Sequence, residues 1–276
     1  MTVRALALPT TLAVLLLTGC GGGSPDTTAS AGTSSGVTSS GVTSTGATST
    51  GATSSAVTGE VTVLAAASLT TTLTTLAESF ETANPGTEIR LSFGSSTTLA
   101  RQIAQGAEAD LFASAGTAAL RQLGEVRPTA TVTIARNTLE IATPPGNPAK
   151  VTGLADLARE DVDVVLCAAT VPCGAAADQV LGRAGVSAHV VSREVDVTAT
   201  LAKVSLDEAD AAVVYHSDVV GAKDAAVGVE IPAGQNTTLD YPLARFGDEA
   251  ATTAFAAYVA GPEGQQALQA AGFLAP

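Results

Sequence analysis

The chain has 276 residues, of which 26 are acidic and 13 basic, giving a formal net charge of −13, and it carries three Cys and two His. So acidic a chain is a poor partner for nucleic acid, and two His with no Cys or His cluster at ligand spacing argue against a metal held by the protein. Any anion it binds must be gripped by local geometry against an unfavourable overall field.

The first twenty residues read as a processing signal. Arg4 supplies the positive flank, and Leu6 to Leu17 form an apolar run interrupted by Pro9, too short for a transmembrane helix. The run ends in Leu17-Thr18-Gly19-Cys20, which resembles the bacterial lipobox, so lipidation of Cys20 and an anchored, extracytoplasmic protein are expected. Residues 21–58 are almost entirely Gly, Ser, Thr, Ala and Val, with a five-residue repeat starting at Gly36, Gly41, Gly46 and Gly51. Such a segment cannot bury enough apolar surface to offset the entropy of ordering. It reads as a tether with a root-mean-square reach of about 35 Å.

From residue 59 onward strands and helices alternate. Val61–Ala67 is a short buried strand, and Leu69–Ala83 is a helix with Leu73, Leu76, Ala77 and Phe80 on one face. Asn84-Pro85-Gly86 stops it. Glu88–Phe93 is a strand, Thr98–Gly106 a helix, Ala109–Ala113 a strand and Ala118–Leu123 a helix. A second series follows: strands at 139–143, 162–167, 188–191, 211–215 and 227–231, with helices at 154–158, 175–184 and 198–207 between them. Two helices, 248–260 and 262–271, end the chain. The alternation implies α/β architecture with parallel sheets in two lobes and a ligand cleft between them.

Four strand-to-helix junctions are rich in hydrogen-bond donors: Ser68, Ser95-Ser96-Thr97, Pro172-Cys173-Gly174 and Val197-Thr198. A helix N-terminus offers unpaired N–H groups and a positive dipole end, which together favour anions. Taken singly, each junction also fits an ordinary helix cap. Four of them in two lobes, with Tyr215 ending a strand, point to one shared site. Cys167 ends a strand and Cys173 opens the next helix, so the chain turns back between them, and a disulfide is expected in an oxidising compartment. Its small loop limits the stabilisation to roughly 2–3 kcal/mol.

Several segments resemble the molybdate-binding proteins of ABC importers. They are Val63-Leu-Ala-Ala-Ala-Ser-Leu-Thr, Phe93-Gly-Ser-Ser-Thr-Thr-Leu-Ala-Arg-Gln-Ile and Gly106-Ala-Glu-Ala-Asp-Leu-Phe-Ala-Ser-Ala, then Val171-Pro-Cys-Gly, Asp196-Val197 and Val214-Tyr-His-Ser-Asp. The resemblance covers about 60–276 and implies a type II periplasmic-binding-protein fold, with chain crossings near 130–136 and 234–241. The lobes would then be 59–133 plus 238–276, and 134–237. It implies ligand contacts from Ser68 and Ser96 (hydroxyl and N–H), Cys173 and Val197 (N–H) and Tyr215 (phenol). It further implies a monomer without cofactor that delivers molybdate or tungstate to a membrane permease.

Donor-only contacts suit a fully deprotonated oxyanion, whereas phosphate near neutral pH keeps a proton and needs an acceptor. None of the contacts is a carboxylate, though Asp196 lies beside Val197. Sulfate has the same chemistry as molybdate in a smaller ion. A serine hydrolase is disfavoured, because Ser68 lies in no Gly-x-Ser-x-Gly elbow and His189 and His216 lack a partner acid at a known spacing. A structural lipoprotein would have no use for four donor-rich junctions.

Overall fold

A computed structural model describes residues 57–276. The expected signal peptide, the Cys20 anchor and residues 21–56 of the expected tether lie outside the described residues. Among those described, no helix is long and apolar enough to cross a membrane.

The chain opens with strand β1, Gly59–Ala66, a 3-10 turn at Ala67–Leu69 and helix α1, Thr70–Ala83. Alternation along β1 feeds two cores. Val61, Val63 and Ala65 pack beneath α1 with Leu73, Leu76 and Phe80, while Leu64 faces a smaller cluster with Leu99, Ile103, Phe112 and Leu123. Covered on both faces in its second half, β1 is apolar at every position from Val63 to Ala66, as a buried parallel strand must be. Strand β2, Thr87–Gly94, and strand β3, Leu111–Ala113, flank β1 in parallel, joined through helix α2, Ser96–Ala104.

The second series repeats this logic. Strand β5, Val164–Cys167, pairs in parallel with β6, Val190–Glu194, and with β7, Ala211–Tyr215. Helices α3, Pro172–Ala184, and α4, Val197–Ser205, make the crossovers. Every residue of β5 and β7 is buried. Helices α6, Ala250–Ala260, and α7, Pro262–Ala270, return to pack on α1, where Phe80 meets Phe255 at 5.1 Å between ring centroids.

Between the two parallel regions the sheet is antiparallel, which the sequence pattern did not announce. Strand β4 is long, Ala130–Thr143, and strand β9 spans Thr238–Arg245. They pair antiparallel from Ala130↔Arg245 to Thr138↔Thr238, and β4 then pairs with β7 and with β8, Val227–Glu230. The sheet order is β2-β1-β3-β9-β4-β7-β5-β6, with β8 also on β4. The expected strand at 139–143 is only the last part of β4, and β9 has no counterpart among the expected strands. Pro242 argues against a strand because it cannot donate to a ladder. Here it sits beside the irregularity between Thr133 and Ala135, and its carbonyl accepts from the N–H of Ser114 at 3.0 Å.

Other boundaries also move. Helices α2 and α3 start two and three residues earlier than expected, and the segments 117–123 and 154–158 are 3-10 rather than α-helical. A short helix α5, His216–Ala222, follows β7 directly.

Candidate functional site

Each expected junction places its donors in a particular way. At β2–α2, Ser95 is the N-cap and accepts from the Thr98 N–H at 3.3 Å. Ser96 is then the first helical residue, so its N–H has no intrahelical acceptor. Its side chain is 1% exposed, and its Oγ accepts from the Ala115 N–H at 2.9 Å. With a lone pair so engaged, the Ser96 hydroxyl proton is free to donate elsewhere.

At β5–α3, Pro172 is the first helical residue and brings no N–H, so Cys173 and Gly174 present the first ones. The first intrahelical bond from this end runs from Ala175 N–H to Val171 C=O at 3.0 Å. Gly174 is required here: a Cβ would collide with the Ala168 and Cys167 carbonyl oxygens. That close approach tucks the helix start under the end of β5. The structure joins Cys167 to Cys173, with Cα atoms 5.8 Å apart.

At β6–α4, Asp196 is the N-cap and its Oδ1 accepts from the Ala199 N–H at 2.9 Å. The N–H groups of Val197 and Thr198, ahead of it, remain for another acceptor. The Asp196 carboxylate thus has a structural task as a helix cap.

Ser68 differs from expectation. It lies inside the 3-10 turn rather than at an α-helix start, and it caps nothing. Its Oγ meets the Tyr241 Oη at 3.0 Å. Tyr215 ends β7 and is 1% exposed, and its phenol oxygen is buried with no hydrogen-bond partner among the described residues. Burial holds its pKa well above the usual tyrosine value, so the group is a neutral donor. A buried hydroxyl without a partner costs about 1–3 kcal/mol. The Tyr215 ring meets Tyr241 edge-on at 6.0 Å.

All five expected residues, Ser68, Ser96, Cys173, Val197 and Tyr215, line one cavity, together with Ala66, Ala67, Gly94, Ser95, Ala115, Pro172 and Asp196. Its volume is about 20 Å³. Two roomier hollows, of about 490 and 390 Å³, are lined in part by Glu60, Glu108 and Asp110 and by Glu140 and Glu230, walls that repel an anion. Neither His approaches Ser68. His216 Nδ1 pairs with Glu140 Oε2 at 2.6 Å, and His189 Nδ1 lies 3.2 Å from the Val162 carbonyl.

Residues 61–274 match the family described as bacterial extracellular solute-binding protein. The chain belongs to that family. Among similar solute-binding proteins is the molybdate-binding protein ModA of Mycobacterium tuberculosis H37Rv, 36% identical over 224 residues, covering 78% of this chain and 85% of that one. ModA of Escherichia coli K12 is 32% identical over 230 residues, with 78% and 89% covered. The periplasmic molybdate-binding protein of Azotobacter vinelandii superposes with a TM-score of 0.67 at 22% identity, covering 78% of this solute-binding protein and 99% of that chain.

The sequence reading missed the residues behind the cavity. Tyr241 and Asn137 are fully buried, and Asn137 Nδ2 donates to the Ser217 Oγ at 2.8 Å and to the Tyr241 Oη at 3.5 Å. Asp218 Oδ2 accepts from the Tyr215 N–H at 3.0 Å, and burial, reinforced by the charge of Asp196, pushes its pKa up to about 7. The signal for Tyr241 was its rarity, as one of three Tyr in the chain.

Proposed function

We propose that this chain captures molybdate outside the cytoplasmic membrane and delivers it to the permease of an ABC importer. The observation that carries the reading is the convergence of Ser68, Ser96, Cys173, Val197 and Tyr215 on one small cavity, with the Tyr215 hydroxyl buried and unpartnered among the described residues. A dianion stripped of water needs donors in every direction. Each hydrogen bond to it contributes about 1.5–3 kcal/mol. Serine hydroxyls, helix-start N–H groups and a neutral phenol supply donors without adding a charge. The names of the similar ModA proteins agree with this ligand.

Ser68 and Ser96 then donate from one wall, and Cys173, Val197 and Tyr215 from the other. The walls belong to two lobes, 59–133 plus 238–276 and 134–237, which close on the ion about the β4/β9 pair. Tungstate, with the same charge and shape, binds the same way. Lipidation at Cys20 holds the monomer to the membrane on its tether, and the Cys167–Cys173 bridge keeps the Cys173 N–H aimed at the ion. Calorimetric titration of the full chain with molybdate, tungstate, sulfate and phosphate tests the reading. Tight binding of the first two and at least about hundredfold weaker sulfate binding, equivalent to about 2.7 kcal/mol, are expected. Equal affinity for sulfate, or a preference for phosphate, would overturn it.

A further inference from the structure

The ligand-facing set does not explain why a buried tyrosine and a buried asparagine stand behind Ser68. Tyr241 belongs to β9 and Asn137 to β4, the antiparallel pair at the centre of the sheet. Asn137 Oδ1 accepts from the Thr138 N–H at 3.0 Å, which fixes the orientation of its amide. The Nδ2 group therefore faces the Ser217 Oγ at 2.8 Å and the Tyr241 Oη at 3.5 Å, and it donates to both. With the amide donating to Tyr241 Oη, the assignment that spends the phenol proton on the nearest oxygen has Tyr241 donating to the Ser68 Oγ, 3.0 Å away, with the Tyr215 phenol a further neighbour of Tyr241. Burial raises the Tyr241 pKa, so the phenol stays a donor across the physiological range.

The consequence falls on Ser68. With Tyr241 as the donor of their shared hydrogen bond, the Ser68 oxygen accepts and its own proton is directed away, toward the cavity that it lines. A serine hydroxyl alone can rotate and present either a proton or a lone pair. A lone pair would repel an anion. We propose that Tyr241 and Asn137 are positioning residues that lock Ser68 as a donor to the bound oxyanion. This rests on the oxyanion reading above. The same tyrosine packs edge-on against Tyr215, so one side chain braces donors on both walls of the cavity.

The relay makes a prediction that packing alone does not. Tyr241→Phe keeps the ring and removes only the oxygen. In the full chain it is expected to weaken molybdate binding about tenfold, the lower end of the scale for losing an outer partner of a metal ligand. In a Ser68→Ala background the same change should alter affinity less than about twofold, because no hydroxyl is left to orient. If Tyr241→Phe weakens binding equally in both backgrounds, Tyr241 acts through packing and the proposal is wrong. If Ser68→Ala weakens binding while Tyr241→Phe does not, the relay fails and the oxyanion reading stands. If Ser68→Ala binds molybdate like the parent, the reading at Ser68 fails and the relay with it. Should Tyr241→Phe not fold by its melting curve, Asn137→Ser runs the same cycle. There a loss confined to the Ser68-containing background supports the relay, and an equal loss in both overturns it.

Discussion

The two walls of the cavity present donors in different ways. On one wall, the Ser96 Oγ accepts from the Ala115 N–H and the Ser68 Oγ meets the Tyr241 Oη, so both hydroxyls have a partner within the protein. On the other, Tyr215 has a buried hydroxyl with no partner among the described residues, flanked by the helix-start N–H groups of Cys173 and Val197. Each hydroxyl oxygen of the first wall has a partner within the protein, while the second wall holds a buried hydroxyl that has none among the described residues. The cost of that donor is recovered when an acceptor arrives. On the proposed reading, a site divided in this way binds its ligand most strongly when both walls reach it at once.

The largest effect should come from breaking both walls together. Ser68→Ala and Tyr215→Phe are each expected to weaken molybdate binding by about 1.5–3 kcal/mol in a calorimetric titration. The double variant should lose more than either, yet less than their sum, because the first loss already loosens the closed state. Strict additivity would mean that the walls do not cooperate.

Breaking the Cys167–Cys173 link sharpens the view of the second wall. Paired replacement by Ser should cost about 2–3 kcal/mol of stability by thermal melting, with weaker binding as the Cys173 N–H is released. Intact mass with and without reductant before alkylation checks the bridge; two free thiols in exported protein would refute it.

A smaller effect concerns pH. Burial lifts the Asp218 pKa to about 7 in the folded protein, with Asp196, Tyr215 and Tyr241 as its charged or titratable neighbours. An unfolded Asp titrates near 3.9, so between about pH 4 and 7 the folded state binds more protons than the unfolded one. Stability should therefore fall as pH rises through that window and level off above it. Asp218→Asn should flatten the profile. The carboxylate also lies behind the Tyr215 N–H, so molybdate affinity should fall as it ionises.

Val197→Ala should have the smallest effect, leaving affinity within about twofold, since a main-chain N–H is retained by any residue except proline. A large loss would show that the Val197 side chain shapes the cavity.

The junctions were legible in the sequence because they combine a local signal with a local consequence. A buried apolar run followed by Ser, Thr or Pro and then a 3.6-residue period fixes where a strand stops and a helix begins, and with it which N–H groups lack partners. The helices begin a few residues earlier than their apolar period suggests, because Ser96 and Cys173 enter the first turn before the apolar face does. The centre of the sheet was not legible. Along β4, Ala130, Thr131 and Val132 are exposed, and Pro242 interrupts β9, so neither has the pattern of a buried strand. Their pairing is set by partners about a hundred residues away, as in Arg136↔Asp240. Tyr241 and Asn137 act only through that pairing, which is why the relay behind Ser68 was invisible until the strands were in register.

A crystal structure of the full chain grown with molybdate tests the central claim most directly. The account predicts one ion in the cavity, with its oxygens about 2.7–3.2 Å from the Ser68 and Ser96 Oγ, the Tyr215 Oη and the Cys173 and Val197 nitrogens. An ion seated instead in the hollow beside Glu140 and His216, or a cavity ion that leaves the Tyr215 hydroxyl without a partner, would contradict it.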